Sequence, residues 1–318
     1  MITWLRKWLL SAACVLCIVP CLNAQWAVAH RDEAKRDVNS VFFVDDKNGW
    51  IIGDGGVLRA THDAGEHWFT QDPKVRANLS DIFFRNKEEG WLIAEGGRIL
   101  HSTDGGDTWE QLYQLPKPAR GNEKDAPTLY SLAFPDKKKG WAVGTQGRIL
   151  YTSDGGRSWA PQESGTNKEL VHVRFVNDKR GWAVGGGGVI LFTGDGGRTW
   201  ETQRSGTTKH LYHVEAQGKD HAWAVGDNGT ILRTTNGGVT WEAIVTSTKT
   251  TLLNAAFRNE KEGWIVGHKG KVFRTGDGGV TWIEQRSGTD ADLYGLFVHK
   301  KQVWAVGADG LILRYRES

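Results

Sequence analysis

The chain has 318 residues, 40 of them Lys or Arg and 37 Asp or Glu, for a formal charge of +3. Without Arg6 and Lys7 of the N-terminal segment it is close to neutral, lacking the basic surplus that general nucleic-acid binding requires. Its three cysteines, Cys14, Cys17 and Cys21, all precede residue 25, so disulfides cannot hold the remainder together even in an oxidising compartment.

Residues 1–24 read as an export signal: a basic head at Arg6 and Lys7, an apolar run from Trp8 to Val19, Pro20, and Leu22-Asn23-Ala24 as a cleavage end. The apolar run is short for a membrane span. Pro20 directly before Cys21 disfavours lipid attachment at that cysteine. The expected location is therefore the periplasm, with cleavage of the signal and its retention as a membrane anchor both open. Residues 25–318 show no Pro/Ser-rich break and read as one repeat domain.

Within that domain one Trp recurs at 50, 91, 141, 182, 223, 264 and 304, and a second at 68, 109, 159, 200, 241 and 282. Each second Trp follows its partner by 18 residues, and the first Trps are spaced by 41, 50, 41, 41, 41 and 40. A period near 40, built from short apolar runs and Gly-rich turns, predicts radially stacked four-stranded sheets, because each needs neighbours on both faces to bury its apolar side chains. The first strand of a unit follows the pattern of Leu170-Val-His172-Val-Arg174-Phe175, and the second is Gly-Trp-Ala-Val-Gly. The chain stops after the third strand of the seventh unit, while Trp26 precedes Trp50 by 24 residues, close to the 22 or 23 that separate a fourth-strand Trp from the next second-strand Trp. The N-terminal strand is thus expected to complete the last unit, closing a seven-bladed all-β propeller and hiding its sheet edges.

Between third and fourth strands lies Ser/Thr-x-Asp-x-Gly-x-Thr-Trp, at 102–109, 152–159, 193–200 and 275–282, with variants at 61–68 and 234–241. An Asp or Asn side chain there can cap free backbone N–H groups while the Gly takes a positive φ. Asp63, Asp104, Asp154, Asp195 and Asp277 are accordingly expected to form turns, not to act as acids or metal ligands.

Two places depart from the repeat. The spacing of 50 before Trp141 marks extra residues between Gln111 and Thr128, holding Lys117, Arg120 and Lys124; Arg98 and Arg148 follow the Gly-rich turns of the flanking blades. Together these five suit either a basic docking surface for a peptide or acidic segment, or a solvated loop with ordinary surface charge. The second place is the channel wall, where the third position of the first strands reads Ser40, Asp81, Ser131, His172, His213, Asn254, Gly295, and the fifth adds Arg174 and Glu215. His172 and His213 could hold a metal or, with Glu215, move protons; a hydrated wall with Arg174 paired to Glu215 is the structural alternative. No motif demands a cofactor, a metal or a catalytic set.

The Gly-Trp-Ala-Val-Gly strands combined with these Asp-box turns resemble the photosystem II stability and assembly factor family, over essentially residues 26–315. The resemblance implies a non-enzymatic propeller that binds a membrane-protein partner and helps assemble its complex; a monomer is a separate expectation. Asp boxes alone are shared with sialidases and sortilin-type receptors. A receptor for a small sugar or peptide therefore stays as an alternative, and a sialidase-like hydrolase as a third. The hydrolase would need three convergent Arg and a Tyr nucleophile, whereas Arg233, Arg274 and Arg314 recur in register along third strands.

Overall fold

A computed structural model describes residues 25–32, 34–116 and 127–317. Residues 1–24, read above as an export signal, and the insertion residues Lys117, Arg120 and Lys124 lie outside the described residues. The chain forms seven four-stranded antiparallel sheets, the blades of a propeller. Six are built from consecutive strands, as in blade IV: Leu170–Phe175, Gly181–Gly185, Ile190–Thr193 and Glu201–Gln203. In the seventh, Leu293–His299, Gln302–Gly307 and Leu311–Arg316 are completed by the N-terminal Gln25–Arg31. That strand pairs antiparallel with Leu311–Arg316, Trp26 opposite Tyr315 and Arg31 opposite Leu311, so the ring closes where the spacing of Trp26 predicted.

Alternation along the innermost strand explains which side chains reach the axis. In blade IV, Leu170, Val173 and Phe175 are buried between blades, while Val171, His172 and Arg174 are not. Two consecutive residues face the channel because the pairing skips one residue between Leu170 and His172, a shift repeated in all seven blades. The Gly-Trp-Ala-Val-Gly strand is buried at all five positions, since both its faces meet other blades.

The recurring Trps form the inter-blade packing. Trp50, Trp91, Trp141, Trp182, Trp223, Trp264 and Trp304 are all fully buried. Trp141 stacks on Phe175 of the next blade, ring centroids 3.8 Å apart, and Trp200 meets the same Phe175 edge-on at 88°. Trp50 on Phe84 and Trp223 on Phe257 repeat the stack. Burial of each such Trp contributes about 4–6 kcal/mol of transfer free energy. Two interfaces depart from this: Trp182 faces Ala216, and Trp264 faces Val298, where Tyr315 at 5.5 Å sits between Trp264 and Trp26.

The Asp-box carboxylates are engaged in their own turns. In blade IV the Thr193 hydroxyl donates to Asp195 and accepts from the Gly197 N–H at 2.8 Å, while the Thr199 N–H and hydroxyl both donate to Asp195. Asn236 accepts the Thr240 N–H in the same way in blade V, so the turn needs an oxygen at this position and not a charge. Hydrogen bonds from the Ser158 hydroxyl and N–H hold Asp154 at a pKa of about 2. Gly156 has φ +85°, and a Cβ there would lie 2.6 Å from Trp91 Nε1, so glycine is required both by the turn and by the neighbouring blade.

Candidate functional site

The turns between first and second strands share one face of the propeller with the Asp boxes, and the Gly-rich turns share the other with the inter-blade links. Arg98 opens the third strand of blade II, Arg98–Ser102, and Arg148 follows the turn Thr145–Gly147 of blade III, so both lie on the link face on either side of the insertion. Arg98 is half-buried and its Nε has no hydrogen-bond partner; Arg148 donates to Thr145 Oγ1 at 3.5 Å. The chain entering the insertion is tied down by Leu115, which is buried among Trp91, Ile93 and Ile99. It also extends the outermost strand of blade II to Glu110–Gln114, against Ala160–Gln162 in blade III.

The channel has two belts of side chains with different chemistry. Ser40, Asp81, His172, His213 and Asn254 line both of its mouths, because the third positions lie midway along the axis. Here the side chains join neighbouring blades. Asp81 accepts the Leu132 N–H at 2.9 Å, Ser131 accepts the Val173 N–H at 3.4 Å, and His172 Nδ1 accepts the Val214 N–H at 3.5 Å. Each bond runs from the first strand of one blade to that of the next, satisfying a backbone donor on the edge of the sheet, where the innermost strand has a ladder partner on one side only.

Electrostatics follow from this burial. Burial drives His172 down to a pKa of about 3, assisted by the Arg174 charge, and pushes His213 well below the ordinary range, so both imidazoles are neutral at physiological pH. Their rings meet tilted by 31° with centroids 3.7 Å apart, a contact that two cations could not share. Burial raises Asp81 to about 6 against its hydrogen bonds from Leu132 and Ile82. Glu215 is likewise raised by burial, although Arg174 opposes the shift by donating to Glu215 Oε1 at 3.1 Å. Among the described residues no three His, Cys, Asp or Glu side chains converge as metal ligands.

The fifth positions make a second belt nearer the Asp-box face, reading Phe42, Phe83, Ala133, Arg174, Glu215, Ala256 and Phe297 around the ring. Phe42 lies 5.4 Å from Phe83 and 5.6 Å from Phe297, an aromatic crescent on blades VII, I and II. The Arg174–Glu215 pair stands on blades IV and V, across the channel. Sequence reasoning picked out only the charged members of this belt. The register that exposed Arg174 and Glu215 applies equally to the phenylalanines, but they resembled core residues. The same holds for Tyr130, Tyr212 and Tyr294, which ring the link-face mouth from second positions; Tyr294 donates to Asp37 Oδ2 at 3.1 Å.

Among the described residues no helix is long and apolar enough to cross a membrane. The family model described as photosynthesis system II assembly factor YCF48 matches residues 21–122, 121–251 and 243–316. A solved structure of YCF48 bound to D1 peptide superposes with a TM-score of 0.75 at 23% identity, over 92% of this chain and 97% of the other. YCF48 from Cyanidioschyzon merolae gives 0.75 at 21% identity, over 92% and 99%. A virginiamycin B lyase from Staphylococcus aureus, at 16% identity and a TM-score of 0.76 over 92% and 99%, shares the fold alone. Comparison with curated proteins gives no match.

Proposed function

The chain belongs to the photosynthesis system II assembly factor YCF48 family, and on that premise we propose that it is an exported, non-catalytic assembly factor that holds a segment of a membrane-protein partner. Family membership across residues 21–316 carries the proposal. A family structure bound to D1 peptide supports a peptide segment as the form in which a partner is held. Export to the periplasm is supported by the basic head, short apolar run and small-residue end of residues 1–24. The link face beside the insertion, with Arg98, Lys117, Arg120, Lys124 and Arg148, is the proposed docking surface, and the propeller acts as a monomer. Arg suits such a surface because its planar fork pairs with carboxylates and carbonyls at little cost in side-chain entropy.

The test is a photo-crosslinking amino acid at position 98 or 148 in living cells, with the captured protein identified. Capture of one integral membrane protein from these positions, and not from position 239 on the opposite face, is expected. Capture of only soluble proteins, or equal capture from position 239 at the outer rim of blade V, would overturn the proposal. Recovery of the protein in the cytoplasmic fraction would overturn the export component separately.

A further inference from the structure

We propose that the Asp-box mouth of the central channel is a socket for one large apolar side chain of an extended peptide, with Arg174 and Glu215 pairing with the peptide's own backbone. It rests on the reading that this protein holds a segment of a membrane-protein partner.

The case begins with the belt of fifth positions. Phe42, Phe83 and Phe297 present three aromatic rings side by side to the channel, and Arg174 with Glu215 face them from the opposite wall. The cavity between them measures about 260 Å³. That is below the roughly 300–1,000 Å³ of sites that enclose drug-sized ligands, and suits one side chain with its adjoining amides.

The polar wall selects among ligands by what it offers. Arg174 donates to Glu215 at 3.1 Å, yet its side chain stays 45% exposed, so further donors face the open mouth. Glu215 is 9% exposed and supplies carboxylate acceptors next to them. A small anion would meet the Glu215 charge, and a cation would meet Arg174. A peptide presents a carbonyl acceptor and an N–H donor within one residue, which match donor and acceptor together without adding net charge beside the pair. An apolar side chain on the same residue reaches the aromatic crescent, where burial supplies the binding free energy and the polar wall sets orientation.

The unequal belt also makes the socket directional. Ala133 on blade III and Ala256 on blade VI separate the aromatic wall from the charged one, leaving open space on both sides of the channel where larger residues would close it. Enlarging one of these is therefore the cleanest perturbation, because it removes the space and leaves every contact of the two walls in place.

The experiment titrates the folded protein with the capped heptapeptide acetyl-GSAFASG-amide and with the same peptide carrying Ala for Phe, followed by amide NMR shifts. The Phe peptide is expected to bind and to shift resonances of Phe42, Phe83 and Phe297. Loss of the anchor ring, or Ala256→Leu in the protein, is expected to weaken binding at least about tenfold. Thermal melts of Ala256→Leu establish that the variant is folded; if it is not, Glu215→Gln, which keeps the volume and removes the acceptor charge, is expected to weaken binding several-fold. Equal binding of both peptides, or unchanged binding to the folded variants, would overturn the socket. A crosslinker at position 256 separates this from the function itself. Capture of the membrane protein from position 98 or 148 but not from 256 rejects the socket and leaves the assembly role standing. Failure at all three positions rejects both.

Discussion

Replacing Trp26 by Ala tests whether the N-terminal strand closes the ring. Trp26 is 6% exposed and packs against Tyr315 with centroids 5.5 Å apart, in the same cluster as Trp264. Truncating a buried Trp costs about 3–5 kcal/mol, including the cavity that incomplete relaxation leaves behind. The indole N–H also donates to Gln285 Oε1 of blade VI at 3.3 Å, worth about 1 kcal/mol. The loss of about 4–6 kcal/mol corresponds to a fall in Tm of roughly 8–24 °C, at the 2–4 °C per kcal/mol found for large domains. Calorimetry or circular dichroism of the two proteins measures this directly. Phe69→Ala serves as the comparison: Phe69 belongs to the outermost strand of blade I but is 55% exposed, and its loss is expected to shift Tm by no more than about 2 °C. If Trp26→Ala melted with the control, blade VII would be held without its fourth strand and the closing role of this residue would be wrong.

Three further outcomes follow from contacts described above. Asp81, ordinarily near 3.8, is raised to about 6 by burial, so its ionised form opposes folding: stability from this group is highest below pH 4 and falls as pH rises through 6, by at most about 3 kcal/mol. Asp81→Asn should flatten that loss, and parallel stability–pH curves for the two proteins over pH 4–7 would refute the assignment. Asp195→Asn is expected to cost less than about 0.5 kcal/mol, because Asn236 already forms the equivalent turn, whereas Asp195→Ala costs about 1–2 kcal/mol in urea unfolding. Gly156→Ala should destabilise by about 2 kcal/mol more than Gly165→Ala, since both residues have positive φ but only the Gly156 Cβ would strike Trp91; equal effects would mean that turn strain alone decides.

The fold was legible because its determinants recur. A Trp repeated seven times at near-constant spacing can be recognised without knowing what it touches, and the contact with Phe175 or its counterparts follows once blades are stacked. Even the closure was legible, since Trp26 keeps the spacing of the series although the strand is displaced to the other end of the chain. Recurrence is silent where positions vary. Tyr315 between Trp26 and Trp264 replaces a Phe from a different strand, a substitution visible only in three dimensions. Likewise Phe42, Phe83 and Phe297 are marked as channel-facing by register alone, a sign easily passed over because an aromatic in an alternating strand looks like core.

Variation along the channel has two physical origins, and separating them decides where function is sought. At the third positions Asp81, Ser131 and His172 all accept a backbone N–H from the next blade, so residues as different as a carboxylate, a hydroxyl and an imidazole satisfy one structural demand. Their polarity needs no ligand to explain it. The fifth positions carry no such demand. Among the described residues the one hydrogen bond between fifth-position side chains joins Arg174 to Glu215, and the remaining members are apolar. Placing an ion pair in this belt incurs desolvation that Ala or Phe would avoid, as the raised Glu215 pKa shows. The ion pair, opposed by three aromatic rings and bordered by two alanines, is the part of the channel where a bound peptide would act.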